Sequence, residues 1–91
     1  MPGKKQRKNA AIQLCERIEK YGLDCYEEIP GKFKISYDGS RKKIRGELSY
    51  YGKGNWTLTI FEYKTISFNS VSTSLIAKHV KTYIFYASAD F

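Results

Sequence analysis

The sequence predicts an α+β fold in the order helix, three strands, helix (α-β-β-β-α), and three observations lead to this prediction. Apolar residues recur at helical spacing near the start of the chain and again near its end. Between these segments the period changes to two, as in half-buried strands, and short turn signals separate the alternating runs. We expect an antiparallel three-stranded meander with both helices packed on one face, because this arrangement buries both apolar stripes.

The first helix is expected over residues 9–21. Its apolar stripe consists of residues three or four positions apart: Ala11, Leu14, Cys15, Ile18 and Tyr21. Asn9 is a suitable N-cap, and Gly22 stands where a glycine commonly ends a helix. Residues 1–8, which precede this helix, are expected to form a flexible basic arm.

The strands are expected where apolar and polar residues alternate. The first covers residues 33–37, the second covers 44–50, and the third runs from residue 56 to about residue 63. Residues 24–29 are a candidate short strand, and residues 65–68 are a candidate extension at the sheet edge. Neither is counted in the three-stranded meander.

The second helix is expected from an N-cap at Asn69 or Ser70 to about Ala87. Its apolar stripe consists of residues at helical spacing: Ile76, Val80, Tyr83, Ile84 and Ala87. Its β-branched residues lower the intrinsic helicity, so this helix must rely on packing against the sheet. The chain is therefore expected to hold one α+β domain over residues 9–88 and a C-terminal tail at residues 89–91.

The charge of the chain indicates a polyanionic partner. Its 91 residues include 16 Lys and Arg against 9 Asp and Glu, which gives a net charge of +7. Such an excess attracts anionic partners, and nucleic acid is the leading candidate. No apolar stretch has the length of a membrane span, and the basic N-terminus lacks the apolar run of a signal peptide. We therefore expect an intracellular protein, cytoplasmic or, in a eukaryote, nuclear, with no membrane partner.

Catalytic and metal chemistry have little support in the sequence. Cys15 and Cys25 form no CxxC pair, and the single histidine, His79, is too few for a usual zinc site. The carboxylates are scattered without metal-ligand spacing. We expect no catalytic residue, no metal and no cofactor. The thiols are expected to be reduced and mostly buried, although a helix and a following strand lying side by side would allow them to pair.

The basic residues fall in clusters that suit contact with phosphates. Four lie within five positions, on a hairpin loop that enters a strand: Arg41, Lys42, Lys43 and Arg45. Adjacent basic side chains can each engage one phosphate, and an arginine can hold a phosphate with two hydrogen bonds. Further candidates lie in the N-terminal arm and the second helix: Lys4, Lys5, Arg7, Lys8, Lys78 and Lys81. The alternative for each cluster is a solvated, solubilising surface.

Aromatic residues provide a second kind of candidate contact. Four are expected on the open sheet face or at its rim: Tyr37, Tyr51, Phe61 and Tyr63. Rings on a sheet can stack on unpaired bases. The alternative is that these rings pack in the core.

The α-β-β-β-α order over residues 9–88, together with the basic surface, resembles the architecture of the double-stranded-RNA-binding domain. It is also similar to that of the small Alu-RNA-binding subunits of the signal recognition particle. The resemblance implies an RNA-binding α+β fold. It is limited to architecture, because residues 38–43 lack the family's Gly-Pro-x-His type loop and residues 69–72 lack its Lys-rich helix start. No residue role is carried over from it.

These observations favour a small, non-enzymatic nucleic-acid-binding domain that contacts the phosphate backbone, with duplex RNA or DNA favoured over single strands. One alternative is a protein-interaction module, such as a phage, plasmid or toxin–antitoxin accessory protein that docks on an acidic partner. A small nuclease that depends on His79 or a carboxylate is the other.

Overall fold

The computed structural model describes residues 10–39 and 42–90, in which two helices flank five strands along the chain. The elements in chain order are α1 (Ala10–Glu19), β1 (Asp24–Ile29), β2 (Lys32–Asp38), β3 (Lys43–Tyr50), β4 (Asn55–Ile60), β5 (Lys64–Asn69) and α2 (Thr73–Asp90). Neither helix is long and apolar enough to cross a membrane.

The sheet has five antiparallel strands in sequence order, so the α+β class is confirmed and the three-stranded meander is wrong. The segments set aside as a candidate strand and an edge extension are the two edge strands, β1 and β5. Only Cys25 of β1 is buried, which explains why its sequence shows so weak an alternation. Five strands also remove the α-β-β-β-α architecture on which the resemblance to RNA-binding families rests.

The third expected strand was too long because a turn interrupts its alternating pattern. Strand β4 ends at Ile60, and residues 61–63 reverse the chain into β5. The Tyr63 N–H donates to the carbonyl of Ile60 at 3.0 Å, and Glu62 adopts a φ of 64°. A positive φ is uncommon for a residue other than glycine. No glycine, proline or asparagine marked this turn in the sequence.

The core lies between one face of the sheet and the helix layer. Helix α1 packs on β1 and on α2, while α2 packs over β3 and β4. Leu48 and Leu58 are paired across β3 and β4 and are fully buried. Beside them, Gly46 allows the backbone of β4 to approach closely. A Cβ atom at this position would lie 2.9 Å from the Thr59 carbonyl oxygen and 3.6 Å from Cδ1 of Ile84. The opposite sheet face is not covered by either helix and is called the open face below.

Candidate nucleic-acid interface

The candidate phosphate-binding residues within the described ranges lie on two different surfaces. Lys43 and Arg45 are exposed and alternate along β3 with residues buried under α2, so their side chains lie on the open face. Lys78 is exposed and Lys81 half-buried on the outer side of α2. The two pairs therefore lie on opposite sides of the sheet. Lys42 lies directly before β3 and is exposed. The remaining candidates fall outside the described residues: Lys4, Lys5, Arg7, Lys8 and Arg41.

Most of the net charge belongs to the segments that are not described. Eleven of the sixteen basic residues and all nine acidic residues lie in residues 10–39 and 42–90, so that part carries +2 of the total +7. The position of the charges therefore matters more than their sum. A nearly neutral body can still bind a polyanion where its cations gather on one surface and its carboxylates on another.

Such a gathering occurs where the two helices meet. Arg17, Lys20 and Tyr21 line a shallow groove with Ser74 and Ala77 of α2, with a volume of about 210 Å³. Lys78 and Lys81 lie one turn further along the same side of α2, because residues three and four apart share a helix face. We call the surface formed by Arg17, Lys20, Lys78 and Lys81 the basic groove. Among the described residues, none of these four cations forms an ion pair.

The side chain of Lys81 is held at the groove by an aromatic contact. Its Nζ lies 5.3 Å from the centre of the Tyr21 ring, within the distance at which a cation is attracted to the face of a ring. Arg17, Lys20 and Lys78 are exposed. Positive charge along the groove is thus accessible from solvent, and one cation has a fixed position.

The acidic residues of α1 border a second depression. Glu16 and Glu19 line a depression with Glu27, on the β1 side of the helix. Helix α2 carries no acidic residue before Asp90. The separation of charge on α1 is only partial, because Glu16 is four positions from Lys20 and so shares its side of the helix.

The open face carries a second cluster, which we call the aromatic platform. Tyr26, Lys34, Lys43, Arg45 and Phe61 surround a shallow depression with a volume of about 320 Å³. The rings of Tyr26 and Phe61 are 60% and 43% exposed. The Phe61 N–H donates to the carbonyl of Arg45 at 2.9 Å, which places the ring beside this arginine.

The cations of the open face differ in their availability. Lys34 lies between two carboxylates, 3.6 Å from Glu28 and 3.7 Å from Glu47. Lys42 lies 3.0 Å from Glu62, and its ammonium group holds the pKa of that exposed carboxyl below its usual value. Among the described residues, Lys43 and Arg45 form no ion pair.

The other three aromatic residues expected at a binding surface lie outside the platform. Tyr37 is half-buried, with its ring 5.0 Å from that of Phe85, and Tyr63 also packs against the core. Tyr51 is 68% exposed, in the turn after β3. Of the four rings expected at a binding surface, Phe61 alone lines the aromatic platform.

The thiols of Cys15 and Cys25 are in contact between α1 and β1. Their sulfur atoms are 3.3 Å apart and both cysteines are free thiols. Burial raises the pKa of the Cys25 thiol far above its usual value, and burial also raises the pKa of Cys15. The pair is therefore protonated at neutral pH and is a poor nucleophile as it stands.

His79, the histidine on which a nuclease would depend, packs against an aromatic ring. His79 is half-buried on α2, with its ring 4.8 Å from that of Phe68. In residues 10–39 and 42–90, no group of three or more His, Cys, Asp and Glu side chains is arranged to hold a metal ion.

Sequence reasoning missed Arg17, Lys20, Tyr26 and Lys34. The signal for the first two was present, because Arg17 and Lys20 are three positions apart on the side of α1 that adjoins its apolar stripe. Tyr26 was missed because β1 was not counted as a strand of the sheet. No known family model matches the chain, and no curated protein or solved structure matches it either.

Proposed function

We propose that the chain is a nucleic-acid-binding domain that holds phosphates along the basic groove. The observation that carries the proposal is that Arg17 and Lys20 of one helix adjoin the side of the other helix that carries Lys78 and Lys81. Clustered cations displace the counterions that surround a polyanion, and this release favours binding.

The chemistry of the groove suits phosphate rather than a small organic anion. Its cations are spread along two helices instead of converging on one enclosed point. A row of this kind matches a ligand whose negative charges repeat at regular intervals. Arg17 can also donate two hydrogen bonds to one phosphate. Duplex RNA or DNA remains the favoured ligand for this surface, since contact with the backbone needs no exposed bases.

The basic residues outside the described ranges add positive charge to the same proposed binding function. Lys4, Lys5, Arg7 and Lys8 precede α1, and Arg41 precedes Lys42 in the β2–β3 loop. Together these five residues carry the remaining +5 of the net charge. Neighbouring basic residues can each engage one phosphate and so add to the same contact.

The test is a binding titration with a charge-matched control. Nuclease-treated protein is titrated into labelled duplex RNA, duplex DNA and single-stranded RNA, and fluorescence anisotropy is read at about 50 mM salt. The test variant carries Lys78→Gln and Lys81→Gln. The control carries Lys53→Gln and Lys64→Gln, which remove the same charge at residues that do not line the groove. One member of each pair also contacts a ring, since the Lys64 Nζ lies 5.4 Å from the centre of the Tyr63 ring as the Lys81 Nζ lies near Tyr21.

We expect the wild-type chain and the control to bind at least one duplex, and the groove variant to bind it several-fold more weakly. Equal losses in both variants would show that net charge, and not the groove, governs binding. No binding of any probe by the wild-type chain would overturn the proposal and favour the alternative of an acidic protein partner.

A further inference from the structure

The aromatic platform exposes two rings on a face that neither helix covers. Tyr26 projects from β1 on the same face as Lys34 and Arg45, because its neighbour Cys25 is buried beneath α1. Phe61 follows the last residue of β4 and lines the same depression. Both residues leave a large part of their surface to solvent, although the Lys34 Nζ lies 6.0 Å from the centre of the Phe61 ring. We infer that the platform is a second nucleic-acid site, which takes the unpaired bases of a single strand.

The spacing of the rings determines how bases would bind. Strands β1 and β4 are separated by three strand spacings, and Phe61 is offset from Tyr26 by two residues along the strands, so the two residues stand roughly 16 Å apart at the backbone. Two rings at this distance do not clamp one base from both sides. Each ring instead offers its face to a different base of a strand that crosses the sheet.

The cations between the rings supply the backbone contacts. Lys43 and Arg45 project from β3, which lies between β1 and β4, and neither forms an ion pair within the described residues. A strand that places one base on each ring brings its intervening phosphates over β3. Lys34 is held by Glu28 and Glu47, 6.0 Å from the centre of the Phe61 ring. It therefore borders the stacking site and contributes less charge.

The proposed ligand is a single strand, because only unpaired bases have faces that a protein ring can reach. Inside a duplex each base is stacked on its neighbours, so a protein ring reaches a base face only where the base is unpaired. The open face also mixes cations with the carboxylates of Asp24 and Glu47. Phosphate attraction alone is therefore weaker here than in the basic groove, and stacking must supply a larger share of the affinity.

This inference rests on the proposed function for its ligand class but on different residues, so the two are tested separately. The full chain is titrated into a labelled 12-mer of oligo(dT) and into an abasic 12-mer with the same number of phosphates. The test variant carries Tyr26→Leu and Phe61→Leu, which keep apolar bulk and remove the aromatic faces. The control carries Tyr51→Leu, which removes an exposed ring outside the platform.

We expect the wild-type chain and the Tyr51→Leu control to bind oligo(dT) more tightly than the abasic strand. Loss of stacking at both rings should weaken binding to oligo(dT) by at least tenfold, since each base contributes about 5- to 150-fold. Affinity for the abasic strand should stay unchanged, because the two substitutions remove no charge.

Equal affinity of the wild-type chain for the two strands would overturn the stacking site and leave the basic groove intact. Loss of oligo(dT) binding in the Lys78→Gln, Lys81→Gln variant, but not in the Tyr26→Leu, Phe61→Leu variant, would do the same. Failure to bind any nucleic acid would overturn both proposals together.

Discussion

Removing the four cations of the basic groove should reduce the salt dependence of duplex binding by a calculable amount. Each phosphate contact on a duplex contributes about −0.9 to the slope of log affinity against log salt. Changing Lys78 and Lys81 to Gln should therefore make the slope shallower by about 1.8, and adding Arg17→Gln and Lys20→Gln by about 3.6 in total. Between about 50 and 200 mM salt, four such contacts account for an affinity loss of about 150-fold, and two for about 12-fold.

Anisotropy titrations of one duplex at four or five salt concentrations would give these slopes. The Lys53→Gln, Lys64→Gln control should retain the wild-type slope, because its charges are lost away from the contact surface. Thermal melts would confirm that all the variants are folded, since loss of the contact between Lys81 and Tyr21 costs about 0.5–1 kcal/mol at an exposed site. If the variant with all four substitutions keeps the wild-type slope, the groove makes no phosphate contacts. The argument from the clustering of four cations at the groove is then refuted.

Three further outcomes follow from packing and from the thiol pair. Gly46→Ala should destabilise the fold by about 1–3 kcal/mol in urea unfolding, because its Cβ would meet the Thr59 carbonyl oxygen at 2.9 Å; an unchanged midpoint would contradict this close approach. Oxidised glutathione should convert Cys15 and Cys25 into an intramolecular disulfide, as the two thiols lose two electrons and two protons and glutathione is reduced. The disulfide closes a loop of about ten residues, which should raise the free energy of unfolding by about 2.7 kcal/mol. A Cys15→Ser variant, which cannot form this bond, should show no gain, and a gain in that variant would exclude the pair as its cause. Because the pKa of both thiols is raised in the folded chain, alkylation by iodoacetamide at pH 8 should be much slower than in urea, and equal rates would argue against their burial.

The sequence predicted the elements with strong periodicity and failed where periodicity was weak. Helix α1 and strands β2 and β3 stand close to their expected positions, since their apolar residues repeat at the spacing that burial requires. Strand β1 is an edge strand with one buried residue, so burial leaves almost no pattern in it. The turn at residues 61–63 depends on the backbone of Glu62, which composition does not reveal.

The candidate site shows a different limit, because proximity in sequence is a poor guide to proximity in space. The run from Arg41 to Arg45 is the densest basic cluster in the sequence, yet within it Lys42 is held by Glu62. The basic groove instead joins residues 17 and 20 to residues 78 and 81, which meet only because α1 packs against α2. Each pair is an ordinary feature of a solvated helix when read alone. Together they form a surface whose charge is not offset by a described ion pair, and the proposal of a phosphate site there therefore depends on tertiary packing rather than on local charge density.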